Sequence, residues 1–220
     1  GSEMCIRDSP QGACGMNLNQ SQTAFQLADD PLSTDCYSVR LLLEFLQLPY
    51  QSIYADVEQL ERKFECPVLF DSTSNRSGLM PIFKQLLEIT QTQSQWMPEN
   101  LSSQIQGWSD FNETLKLSLG ILRQANLSVD QFLSNEEQLI QQATQQLREL
   151  DDHLCEQTVI GQGYLLGSQP TIADLMIFPQ VALAWDAGLS LVPFLHIRRW
   201  INRIRHQSHF IPMAGLLAVN

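Results

Sequence analysis

The sequence predicts a small α/β domain followed by an all-helical domain. Short apolar runs of strand length, bounded by turn residues, occur only in the first third of the chain. Beyond residue 100 the apolar residues recur at helical spacing, and no strand signal is found there. The polar stretch "QTQSQWMPEN", broken by a proline, separates the two regions.

"TAFQLA" (23–28) reads as a strand ended by the turn signal "DDP". Val39, Leu42, Leu43 and Leu46 then recur at helical spacing over 38–48, and Pro49 closes that helix. "YQSIYADV" (50–57) and "PVLFD" (67–71) are the second and third strands. The chain between "PVLFD" and "RSG" is short, which predicts a truncated fourth strand. A helix over 77–90 carries Pro81 in its first turn, where a missing N–H does little harm. This order describes an α/β domain of thioredoxin type. Further on, Leu101, Ile105, Trp108, Phe111, Leu115, Leu119 and Leu122 mark one long helix. Others are expected over 135–157, 170–188, closed by Gly188, and 192–207. The expected divisions are a leader (1–20), a thioredoxin-like domain (21–91), a linker (92–99) and a helical domain (100–220). In the leader, "GS" reads as a tag scar and Met16 as the expected native start.

Composition narrows the function classes. A formal charge of −11 argues against a nucleic-acid surface, which depends on Lys and Arg. Apolar runs such as "IADLMIFPQVALAW" contain Pro, Asp or Gln, so no membrane span is expected. Outside the leader the cysteines are Cys36, Cys66 and Cys155, an odd number with no framework spacing. With no secretory signal, a cytoplasmic location is expected. The four scattered histidines and the absence of paired cysteines predict no metal site.

The start of the first helix, "DDPLSTDCYSVR", carries the first candidate chemistry. Ser33, Thr34 and Asp35 are all capping residues. Cys36 stands three residues after Ser33, which is either a buried structural position or a first-turn thiol with a lowered pKa. Thr171-Ile172-Ala173-Asp174 reads as a capping box.

In context these motifs point further. "YLLGSQPTIADLMIFPQVALAWDAGLSLVPFLHIRRWINRIRHQSHFIPM" closely resembles the C-terminal domain of the glutathione transferase superfamily. There a "YL-G" loop, an S/T-x-A-D capping box and a helix ending in "R-W" follow in that order. "CYSVRLLLEFLQLPYQ" resembles the same family's first helix, and the resemblance spans roughly residues 23 to 213. It implies a cytosolic-type homodimer with glutathione as co-substrate and no metal. Ser33 matches the hydroxyl that contacts the thiol, with Cys36 as the alternative. Cys66 and Pro67 match the cis-proline segment that aligns the cysteinyl part of glutathione. Arg76 and Ser77 stand where the family has an acid-serine pair for the γ-glutamyl group.

Ser77 and the helix start behind it suit a carboxylate. Arg76 opposes the ammonium, Glu65 opposes the glycyl carboxylate, and Asp35 with its neighbours opposes a thiolate. Asp71 and Asp110 are the candidates for a substitute acid. Trp108, Phe111 and Leu115 are the candidate pocket for an apolar electrophile, an aromatic row being core in its plainer reading. The expected function is conjugation of the glutathione thiol to such a small molecule. The alternatives are a non-catalytic binding protein of the same fold, and a thiol oxidoreductase using Cys36.

Overall fold

The computed structural model of the chain describes residues 25–54, 67–72, 74–128 and 132–213. Four strands form one sheet in the order β2-β1-β3-β4. They are β1 (Phe25–Asp29), β2 (Tyr50–Tyr54), β3 (Val68–Phe70) and β4 (Asn75–Ser77). β1 runs parallel to β2 and antiparallel to β3, and β3 pairs antiparallel with β4. Helix α1 (Thr34–Phe45) makes the crossover between β1 and β2, as a parallel pair requires. It begins four residues before the spacing predicts, because Ser33 caps it: the Ser33 hydroxyl accepts the Cys36 N–H at 3.2 Å.

Helix α2 (Leu79–Thr90) follows β4, with Pro81 in its first turn. The segment expected as a linker contains helical turns, α3 (Gln93–Trp96) and a 3₁₀ turn at Glu99–Leu101. Trp96 is buried there and stacks on Phe45 of α1, with centroids 5.7 Å apart and planes within 10°. An aromatic ring thus holds the segment against the first domain.

The helical domain comprises α4 (Ser102–Leu115), α5 (Ile121–Leu127), α6 (Glu136–Val159), α7 (Ile172–Ala182) and α8 (Leu195–Arg205). The expected single helix over 101–122 is interrupted by a π turn at Lys116–Gly120, between α4 and α5. The apolar period alone does not reveal it, because Leu115, Leu119 and Leu122 stay buried across the turn.

α7 is buried on every side from Ile172 to Val181, the mark of a central core helix. Its start is the capping box expected from Thr171 and Asp174. The fully buried Asp174 carboxylate also accepts the Leu165 N–H at 3.0 Å and the Trp200 indole N–H at 2.8 Å. One side chain thus ties the loop before α7, the α7 start and α8. Burial holds its pKa above the usual carboxylate value, while the four donors pull it back.

α1 packs directly on α7. Tyr37 lies 6.3 Å from Phe178, ring to ring, and its hydroxyl donates to the Ile211 carbonyl at 2.7 Å. Pro179 stands inside α7 and has no N–H for the carbonyl one turn earlier, that of Leu175. The buried Ser38 hydroxyl of α1 donates to that oxygen at 2.8 Å. A helix defect in one domain is therefore satisfied by a serine from the other.

Candidate functional site

The sheet register brings two predicted residues, Pro67 and Ser77, to one edge. Ala28 pairs with Val68, and Val68 pairs with Ser77. Pro67, just before Val68, and Ser77, the last residue of β4, thus lie at the edge where the chain leaves β1 for the Asp30–Ser33 turn. The Gly78 N–H donates to the Pro67 carbonyl at 3.1 Å, closing that corner. Gly78 sits at φ +88°, a conformation that glycine adopts freely. Arg76 and Ser77 are both exposed, and as strand neighbours they project from opposite faces of the sheet. Arg76 therefore does not share a face with Ser77. Cys66 and Glu65 lie outside the described residues.

Ser33 opens onto a cleft of about 460 Å³ between the two domains. The first domain contributes Asp30, Leu32, Thr34 and Asp35 to its walls; the second contributes Lys116, Ile121, Arg123 and Gln180 among others. Several polar links hold the walls together. Gln180 donates to the Thr34 hydroxyl at 2.7 Å, and Arg123 Nη1 donates to the Leu32 carbonyl at 2.7 Å. Lys116 Nζ lies 2.6 Å from Asp35 Oδ2 and 2.8 Å from Glu113 Oε1.

The Lys116 pair corrects the expected electrostatics. Asp35 is matched by an ammonium, so it does not stand as an uncompensated negative charge at the helix start. Burial lowers the Lys116 pKa, but Asp35 and Glu113 raise it more, and the net shift is upward. Asp29 is likewise buried against Arg40 at 2.6 Å and accepts the Ser52 hydroxyl at 2.7 Å. Asp30 remains exposed, with one oxygen accepting the Leu32 N–H at 2.8 Å. Asp71 serves the β3–β4 hairpin, accepting Ser74 N–H and Gln85 Nε2 at 2.6 Å each, whereas Asp110 is exposed on α4.

Ser33 uses an oxygen lone pair for its cap, which leaves the hydroxyl proton available to a ligand in the cleft. Cys36 is fully buried, its Sγ 3.4 Å from the Asp30 N–H and 4.0 Å from the Ala28 carbonyl. Its sulfur faces inward, and Ser33 faces the cleft.

The aromatic row is placed elsewhere. Leu115 is fully buried in the core. Trp108 and Phe111 border a second hollow of about 440 Å³, with Glu149, Leu150 and His153 of α6. Trp108 meets Phe111 at 5.4 Å and His153 at 4.8 Å, both edge to face. The cleft at Ser33 is walled instead by residues that the sequence reading did not single out: Lys116, Arg123 and Gln180. A lone glutamine in the apolar run "IADLMIFPQVALAW" was the one available signal for Gln180. Lys116 and Arg123 gave none, because their direction depends on the π turn.

The architecture matches solved structures along nearly their full length. A glutathione S-transferase from Pseudomonas fluorescens has a TM-score of 0.74 at 21% identity, over 86% of this chain and 98% of that one. Residues 136–203 match the family model described as glutathione S-transferase, C-terminal domain. The helical domain thus carries a glutathione S-transferase family match, and the fold of the chain is shared with glutathione S-transferases. By fold it also resembles Ure2p in complex with glutathione, with a TM-score of 0.74 at 18% identity, over 84% of this chain and 91% of that one. The nitrogen regulation fragment of the yeast prion protein Ure2p has a TM-score of 0.71 at 17% identity, over 84% and 93%. No curated protein sequence matches the chain. The structural likeness is one of fold, and the family match lies in the helical domain.

Among the described residues, no helix is long and apolar enough to cross a membrane. None of their His, Cys, Asp and Glu side chains form a group of metal-ligating type.

Proposed function

We propose that the protein binds glutathione with its thiol at Ser33 and conjugates it to a small electrophile held in the interdomain cleft. The observation that carries this reading is the placement of Ser33: it caps α1, faces the cleft and keeps a proton to donate. A thiol reacts as the thiolate. The Ser33 hydroxyl, aided by the positive end of α1, would favour that form of the glutathione sulfur. The neutralisation of Asp35 by Lys116 removes a charge that would oppose it. Ser77, with the α2 start behind it, would hold the γ-glutamyl carboxylate. Pro67, with Cys66, would align the peptide, while Arg76, on the opposite face of β4 from Ser77, would lie away from the carboxylate that Ser77 holds. In this reading the protein works as a homodimer in the cytoplasm.

The test is titration with reduced glutathione, followed by turnover of an electron-poor aryl halide. A charge-assisted hydrogen bond to a thiolate is worth about 1.5–3 kcal/mol, so Ser33→Ala should lower kcat roughly 10- to 100-fold. It should also move the pH–rate profile to higher pH. Binding without turnover of any electrophile would favour the second reading, a regulatory or binding protein of the same fold. The Ure2p structures support that alternative, since one is described as a nitrogen regulation fragment and another holds glutathione. The third reading, thiol redox chemistry at Cys36, requires a buried sulfur to become accessible.

A further inference from the structure

The charges of this acidic chain are unevenly distributed. All 24 Asp and Glu residues precede Ala187, and the remaining stretch to Asn220 holds four arginines and no acid. Those arginines are on α8. Ile197, Trp200, Ile201 and Ile204 form its buried face. The opposite face exposes Arg198, Arg199, Asn202, Arg203 and, just beyond the helix, His206.

Folding alone does not account for this face. Arg198 and Arg199 stand at and just past the end of the first turn of α8, where the helix dipole offers a cation no stabilisation. Arg199 and Arg203 are like charges four residues apart, which destabilises a helix. Among the described residues, no carboxylate lies within salt-bridge distance of Arg198, Arg199 or Arg203. Asp151 of α6 is the neighbouring acid, and it accepts the Ile197 N–H at 2.8 Å, capping the helix instead. Arg203 is partly engaged with the Gly163 carbonyl and lies over the Tyr164 ring. Arg198 and Arg199 are left as an exposed pair, with the exposed apolar Leu195 one turn before them and the exposed Val192 in the segment preceding the helix.

We propose that the exposed face of α8 docks an acidic segment of a partner protein. Guanidinium groups match carboxylates through paired N–H donors, and the apolar neighbours suit a peptide side chain. A nucleic acid is disfavoured, because the overall charge of −11 repels a long polyanion while a short acidic segment needs only the local face. The surface is distinct from the cleft at Ser33, so glutathione binding is not required for it.

The test uses a short fluorescein-labelled peptide of Glu and Leu, followed by anisotropy with the full chain. Saturable binding at low salt is expected, weakened at least about tenfold at 1 M salt, where the Debye length is ~3 Å. The double variant Arg198→Glu/Arg199→Glu should abolish it. The same variant should leave Tm unchanged or slightly raised, because acids suit that helix end. Arg198→Lys/Arg199→Lys should retain weaker binding. No saturable binding by the unaltered protein, or binding indifferent to the glutamate variant, would overturn the proposal. So would tighter binding of an oligoribonucleotide or of phosphatidylserine vesicles. Self-association lost in the glutamate variant would make a second copy the occupant and would also overturn it.

Discussion

The Ser38–Leu175 hydrogen bond gives the sharpest test of how the two domains are joined. Pro179 removes the N–H that would normally bond the Leu175 carbonyl, and Ser38 replaces it across the interface. Ser38→Ala leaves that buried oxygen without a donor, at a cost of about 1–3 kcal/mol. The Ser38 hydroxyl also lies 3.1 Å from the Thr34 carbonyl, but its single proton serves Leu175 at the shorter distance. In a Pro179→Ala background the helix regains its own N–H donor at position 179. Ser38→Ala should then cost well under 1 kcal/mol, giving a coupling energy of about 1–2 kcal/mol in the double-mutant cycle. Urea unfolding of the four proteins measures each stability. Costs of Ser38→Ala that agree within about 0.5 kcal/mol in the two backgrounds would refute the compensation argument.

Asp174→Asn turns an amide N–H toward one of four donors and should cost about 2–4 kcal/mol, read by denaturant unfolding. Burial raises the folded-state pKa of Asp174 above the ordinary 3.8, so its favourable linkage to protons is complete below that value. It is lost as pH rises through the folded pKa, and the stability margin over Asp174→Asn should shrink across that window. Lys116→Met removes the cation between Asp35 and Glu113; both partners of the Asp35 pair are about a quarter exposed, so the cost should be about 1 kcal/mol or less and should diminish in high salt. In peptide-mapped alkylation near neutral pH, Cys155 should label while Cys36 stays protected until the protein unfolds. Labelling of native Cys36 as fast as Cys155 would revive the redox reading.

Much of the fold was legible because each domain signals it locally. The period of the apolar residues placed most helices, and the capping box at Thr171 and Asp174 formed as read. Boundaries failed where side chains override the period. The Ser33 cap drew α1 forward into a polar turn, and Trp96 pulled the expected linker into helical turns by stacking on Phe45. At the site, the sequence pointed to Ser33 but not to its surroundings. Asp35 reads as a repulsive charge until Lys116, 81 residues later, is seen beside it. Ion pairs of that separation leave no pattern in a single chain. Trp108 and Phe111 kept helical spacing with the core, and spacing cannot say which hollow a helix face borders.

The π turn at Lys116–Gly120 interrupts the run of helix between α4 and α5. The upstream half of that run, with Trp108 and Phe111, borders the hollow against α6; the downstream half, with Ile121 and Leu127, walls the cleft at Ser33. At 3.6 residues per turn, removing one residue from the π turn would rotate everything after it by about 100° while leaving α4 seated. Ile121 and Arg123 would swing away from the cleft with no change in their identity. The second wall of the cleft is therefore set by a count of residues as much as by their chemistry, and a single-codon deletion would re-aim it where point substitution would not.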